Sequence, residues 1–164
     1  MSIDEVVGAW PDMTPGERLR ACHVLLTQVG PEARQLGLRS PTDREALLAC
    51  LLEGSDEALR SGDPLLEARL LDLADRLRPL DPDRSDRLAA RWSAEGRTDF
   101  RAAVFYVHAL GRGVAAGSAH ASAMRDLILA AARARPERAG FLLAAMDAYG
   151  IGGTPGQSVR PSRP

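Results

Sequence analysis

The chain has 164 residues, with 21 basic and 22 acidic side chains and a formal net charge of -1. Every basic residue is arginine and neither lysine nor asparagine occurs, which excludes Schiff-base chemistry, a phosphate-loop lysine and N-glycosylation. A near-neutral surface of Arg, Asp and Glu also speaks against a general nucleic-acid binder.

The first residues, Met1-Ser2-Ile3-Asp4-Glu5, are acidic where a secretory signal is basic. The longest apolar run, Ala46 to Leu52, falls far short of the ~20 residues of a membrane span. The sequence therefore reads as a cytoplasmic protein with no membrane segment.

Helix starts recur along the chain. Thr14-Pro15-Gly16-Glu17 places a hydroxyl cap, a proline at the first helical position and a capping-box glutamate in order. Ser40-Pro41, Asp63-Pro64 and Asp81-Pro82 repeat the cap-plus-proline device, and Thr98-Asp99 starts a helix without proline. Gly30, Gly54, Gly96, Gly111 and Gly150 stand where helices would stop in a left-handed residue.

Between these marks the apolar spacing is helical, as in Leu19, Cys22, Leu26 and Val29 or in Leu66, Leu70, Leu73 and Leu77. Ala139, Leu142, Leu143 and Met146 form a further expected core stripe. The spacing predicts helices over 3–9, 15–29, 32–36, 41–53, 56–60, 64–78, 82–95, 99–110, 118–135 and 137–149. No segment alternates with the period of a strand. The expectation is an all-α fold, either a compact multi-helix bundle or a short stack of antiparallel helical hairpins. Residues 1–150 read as a single domain, and 151–164, rich in Gly, Pro and Arg, as a disordered tail. Its Arg160-Pro161-Ser162-Arg163-Pro164 end is compatible with a polyproline docking peptide.

Cys22 and Cys50 sit within apolar helical faces and read as small buried hydrophobes. His23 flanks a core stripe and His120 opens the apolar face of the helix carrying Met124 and Ile128. The three histidines lack metal-motif spacing, so neither a metal nor any other cofactor is expected. Ser118 and Ser122 face away from His120 on a helix and offer no nucleophile-base pair. Arg133, Arg135 and Arg138 would be the phosphate contacts of a helix-turn-helix, but the many acids and the net charge weigh against that role.

The segment 99–110 is the most unusual. Trp92, Phe100, Phe105 and Tyr106 are four of the chain's seven aromatics. Phe100, Ala103, Val104, Val107 and Leu110 or Gly111 would face the core. A second stripe of Arg101, Phe105, His108 and Arg112 follows helical spacing, and its guanidiniums are suited to a carboxylate or phosphate. The alternative is a central, nearly all-apolar helix that is simply buried.

Leu77-Arg78-Pro79-Leu80-Asp81-Pro82-Asp83 and Gly96-Arg97-Thr98-Asp99-Phe100-Arg101-Ala102-Ala103, with starts at Pro64 and Asp99 set 35 residues apart, give residues 64–110 a resemblance to tetratricopeptide-like repeats. Trp92 falls off that family's aromatic position, and the helix over 82–95 is short for it. The resemblance implies a groove that binds a peptide or protein.

Charge is unevenly shared. Residues 1–99 carry 13 Arg and 19 acids, a net of -6, and residues 100–164 carry 8 Arg and 3 acids, a net of +5. Such a dipolar chain pairs with itself or steers partners to one end. The sequence thus points to a non-enzymatic interaction or adaptor module with a protein partner, homo-oligomers included, contacted around Arg101, Phe105, His108 and Arg112. The second reading is a small helical ligand-binding or regulatory domain in which Arg101, His108 and Arg112 hold an anionic group.

Overall fold

The computed structural model describes residues 2–32, 41–112 and 120–151. The tail beyond Ile151, residues 33–36 of the expected 32–36 helix, and Ser40 and Ser118 lie outside the described residues. Within them the fold is all-α, with eight helices and no strand: α1 (Ile3–Ala9), α2 (Pro15–Glu32), α3 (Pro41–Arg60), α4 (Pro64–Leu77), α5 (Pro82–Ala94), α6 (Phe100–Gly111), α7 (Ala121–Ala134) and α8 (Pro136–Ala148). None of these helices is long and apolar enough to cross a membrane. Where the sequence reads as one domain over 1–150, the helices gather into two compact units, Met1–Asp81 and Pro82–Pro164.

In the first unit α3 and α4 form a helical hairpin joined by Ser61-Gly62-Asp63. Gly62 has φ +76, and the Asp63 amide donates to the Ala58 carbonyl at 2.9 Å, closing α3 in a Schellman turn. The Asp63 carboxylate then accepts from the Leu66 amide at 3.1 Å and opens α4. One tripeptide therefore ends one helix and starts the next. Leu25, Leu47, Leu51, Leu70 and Leu71 fill the core between α2, α3 and α4, and Val6 adds α1 to it.

A 3₁₀ turn over Trp10–Asp12, with no counterpart in the apolar spacing, inserts Trp10 beneath α2 and α3. Its indole N–H donates to the Glu53 carboxylate, and its carbonyl accepts from Arg18 Nε and Nη2. Both polar ends of a buried tryptophan are thus satisfied.

Two glycines expected to stop helices do not. α2 runs through Gly30, and α3 runs through Gly54, merging the expected 41–53 and 56–60 segments. A β-carbon on Gly54 would stand 2.6 Å from Cys22 Sγ, so glycine is there to let α3 approach α2. The α2 core stripe is also displaced: Ala21, Cys22 and Leu25 are buried, Leu19 and Leu26 only half-buried, and His23 is exposed. Of the expected stripe Cys22 is at the centre of the buried face and Leu19 and Leu26 at its edge, while Ala21 and Leu25 complete the centre.

In the second unit α6 packs against α5, α7 and α8 and is nearly all core. Gly96 (φ +68) and Gly150 (φ +70) close α5 and α8 with the same turn as Gly62. Asp99 caps α6, accepting from the Ala102 amide at 3.2 Å. Met124 and Ile128 of α7 and Leu142 and Met146 of α8 complete the interior. Leu143, expected in that stripe, is instead 47% exposed.

Candidate functional site

The four singled-out residues of α6 do not converge. Phe105 is 1% exposed, and its ring meets Trp92 edge-on at a centroid distance of 5.2 Å. It is a core residue. Seven successive positions from Phe105 to Gly111 contain only one exposed side chain, His108. The expected core face is accordingly wrong at Phe100 and Val104, which are half-buried, and right at Ala103, Val107 and Leu110. The helix is apolar on nearly all sides, so hydrophobicity alone left its orientation undetermined.

The guanidiniums part company as well. Arg101 lies 5.9 Å from the Trp92 ring centroid. Arg112 donates from Nη2 to Ser85 Oγ at 3.2 Å and from Nε to the His108 carbonyl at 3.2 Å. Eleven residues of helical rise separate the two arginines by about 16 Å along α6. They reach α5 two turns apart, at Trp92 and at the buried Ser85. These arginines tie α6 to α5.

Around Trp92 the cluster is dense. The Arg97 guanidinium lies 4.1 Å from its ring centroid and donates twice, at 2.8 Å, to the Asp99 carboxylate. That pairing, helped by the Ala102 N–H and opposed by burial, holds the Asp99 carboxyl below the usual carboxylate range. The fully buried Tyr106 donates its hydroxyl to the Arg97 carbonyl at 3.1 Å, and burial pushes its own titration upward. Each member has a structural partner.

His108 reaches Tyr149, the C-cap of α8. Its Nδ1 is 2.9 Å from the Tyr149 hydroxyl, and the two rings meet at 83°. The Tyr149 ring lies over Gly111, where a β-carbon would stand 2.2 Å from it. Gly111 is therefore a seat for Tyr149, in ordinary helical backbone, and Arg112 is the C-cap.

Among the described residues, large apolar side chains without a core role are exposed at Leu59 and Leu65 in the first unit and on α8 in the second. Phe141 is 59% exposed and Leu143 47% exposed. At 100° per residue they stand on opposite shoulders of the helix, with exposed Glu137, Gly140, Ala144, Asp147 and Ala148 along the outward strip between them. Phe141 is held from behind by Phe100, with centroids 5.8 Å apart, and Arg138 covers Phe100 at 4.5 Å. Exposed Arg133 and Arg135 stand at the adjoining α7–α8 corner, Arg135 paired to Glu137 at 3.7 Å. The sequence pattern conceals this face, because Leu142, Leu143 and Met146 look alike as letters.

Cys22 and Cys50 are both buried. Burial foremost, then the carboxylates of Glu57 and Glu53, pushes the thiols up to about 11 and about 12, so both are protonated and inert near neutrality. Among the described residues no three His, Cys, Asp or Glu side chains gather into a metal-holding group. Comparison with protein-family models, curated proteins and solved structures returns no match for this chain.

Proposed function

We propose that the chain is a non-enzymatic helical protein-interaction module whose contact surface is the exposed side of α8. The observation that carries this reading is the exposure of Phe141 and Leu143 on a helix whose inner residues, Leu142 and Met146, already satisfy the core. Complete burial of a large apolar side chain is worth about 1.5–3 kcal/mol, and Phe141 and Leu143 leave roughly half of it unrealised. Two on one helix, Phe141 backed by the Phe100 ring, with arginines and the exposed Glu137 and Asp147 around them, have the composition of interface residues with a charged rim. The resemblance of 64–110 to tetratricopeptide-like repeats points in the same direction, since it implies partner binding.

The test compares affinity capture by the wild-type chain and a Phe141→Asp/Leu143→Asp variant. Both substitutions fall outside the core, so the variant stays folded with wild-type helical content and its thermal midpoint falls by only a few degrees. Recovery of a specific protein partner falls at least about tenfold, a loss of about 1.4 kcal/mol or more in binding. Equal recovery with both chains refutes the reading.

A further inference from the structure

Helix α8 is the least secured element of the second unit. It buries two of its thirteen residues, Leu142 and Met146, where α6 buries seven of twelve and α7 five of fourteen. Gly140 stands inside it in open space, so its backbone freedom weakens the helix and no close approach requires it. A single residue, Arg135, joins α7 to α8, and its side chain makes no capping hydrogen bond to α8.

The seam with α6 is thin as well. Phe100, Val104, His108 and Gly111 recur at helical spacing along one face of α6. At its two ends Phe100 meets Phe141, and His108 and Gly111 meet Tyr149. With α8 in place, Phe100 and Val104 are still only half-buried and His108 is exposed. The face of α6 toward α5 is closed by contrast, with Phe105 packed on Trp92. What fixes the far end of α8 is Tyr149, whose ring lies on Gly111 and whose hydroxyl is 2.9 Å from His108 Nδ1.

We infer that α8 is a strap, hinged at Arg135 and latched by Tyr149, that detaches as one unit while α5, α6 and α7 stay folded. A helix of thirteen residues is marginal in water without a surface to dock on, so released α8 unwinds. Its sparse burial places this opening well below global unfolding. Only the latched state holds Phe141 and Leu143 on a folded scaffold. That consequence for partner contact rests on the proposed function, whereas the strap itself does not.

The experiment is native-state hydrogen exchange on the full-length chain, followed amide by amide by NMR. In the wild-type chain the interior α8 amides share one protection factor, at least about thirtyfold below that of the slowest α6 amides. Asp99→Ala removes the α6 cap, which persists when α8 is open. It lowers the slowest α6 amides about fivefold and leaves α8 unchanged. Tyr149→Ala lowers α8 and the slowest α6 amides by the same factor, at least about fivefold, because both opened states lack the latch. Tyr149→Phe, which keeps the ring and loses the hydroxyl, gives a smaller drop. Interior α8 amides as protected as the slowest of α6 overturn the inference. So does an Asp99→Ala variant that lowers both helices alike, or a Tyr149→Ala variant that leaves α8 unchanged. Exchange is read on the chain alone, so failure of the strap and failure of the proposed partner contact are separately visible.

Discussion

Two phenylalanines of the second unit, Phe105 and Phe141, illustrate how little a residue's identity says about its role. Phe105 sits edge-on to Trp92 in a closed core, and Phe141 leans on Phe100 with most of its surface in solvent. Truncating Phe105 to Ala should cost about 3–5 kcal/mol in urea denaturation, whereas Phe141→Ala should cost less than about 1 kcal/mol. Asp99 gives a pH-dependent case. Its folded carboxyl titrates below the ordinary range because of Arg97 first, so its contribution is complete above the unfolded carboxyl's titration and disappears as pH falls through the folded one. Asp99→Ala therefore lowers stability by about 1 kcal/mol at neutral pH. That deficit narrows as the pH falls below about 4, which chemical denaturation at a series of pH values measures.

At the scale of the element, capping chemistry was the readable part. Asp63, Asp99, Gly96 and Gly150 do what their types and positions suggest, because a cap is a local arrangement of a few adjacent residues. Gly54 and Gly111 were not readable. Their reason is a side chain distant in sequence, Cys22 in one case and Tyr149 in the other. The same distance explains Trp10, whose anchoring partner Glu53 lies 43 residues away, and the α6 stripe, whose arginines are claimed by Trp92 and Ser85 of α5. A glycine inside an exposed helix normally gains about 1 kcal/mol on conversion to Ala. Gly54→Ala should reverse that sign and destabilise by about 1–3 kcal/mol, since Cys22 Sγ must move out of a packed core. Thermal denaturation of the single variant decides the sign, and restoring room with Cys22→Ala should recover part of the loss.

For the whole molecule, the all-α class and the opposition of charge were both legible, the first from periodicity and the second from counting. The fold gives the charge its physical carriers, an acidic body of α1–α4 and a basic body of α5–α8. The aromatic pattern of the sequence points to α6 as the contact surface, but its aromatic density marks the core of the second unit. Within the second unit it is α8 that leaves large apolar side chains, Phe141 and Leu143, in solvent after its inner positions are filled.

Site-specific photo-crosslinking tests that assignment most directly. A photoreactive phenylalanine replaces Phe141 in one chain and Asp126, an exposed polar position on α7, in another. After irradiation in cells, position 141 gives discrete protein adducts and position 126 gives none. Adducts of equal yield from both positions, or none from position 141, would contradict it.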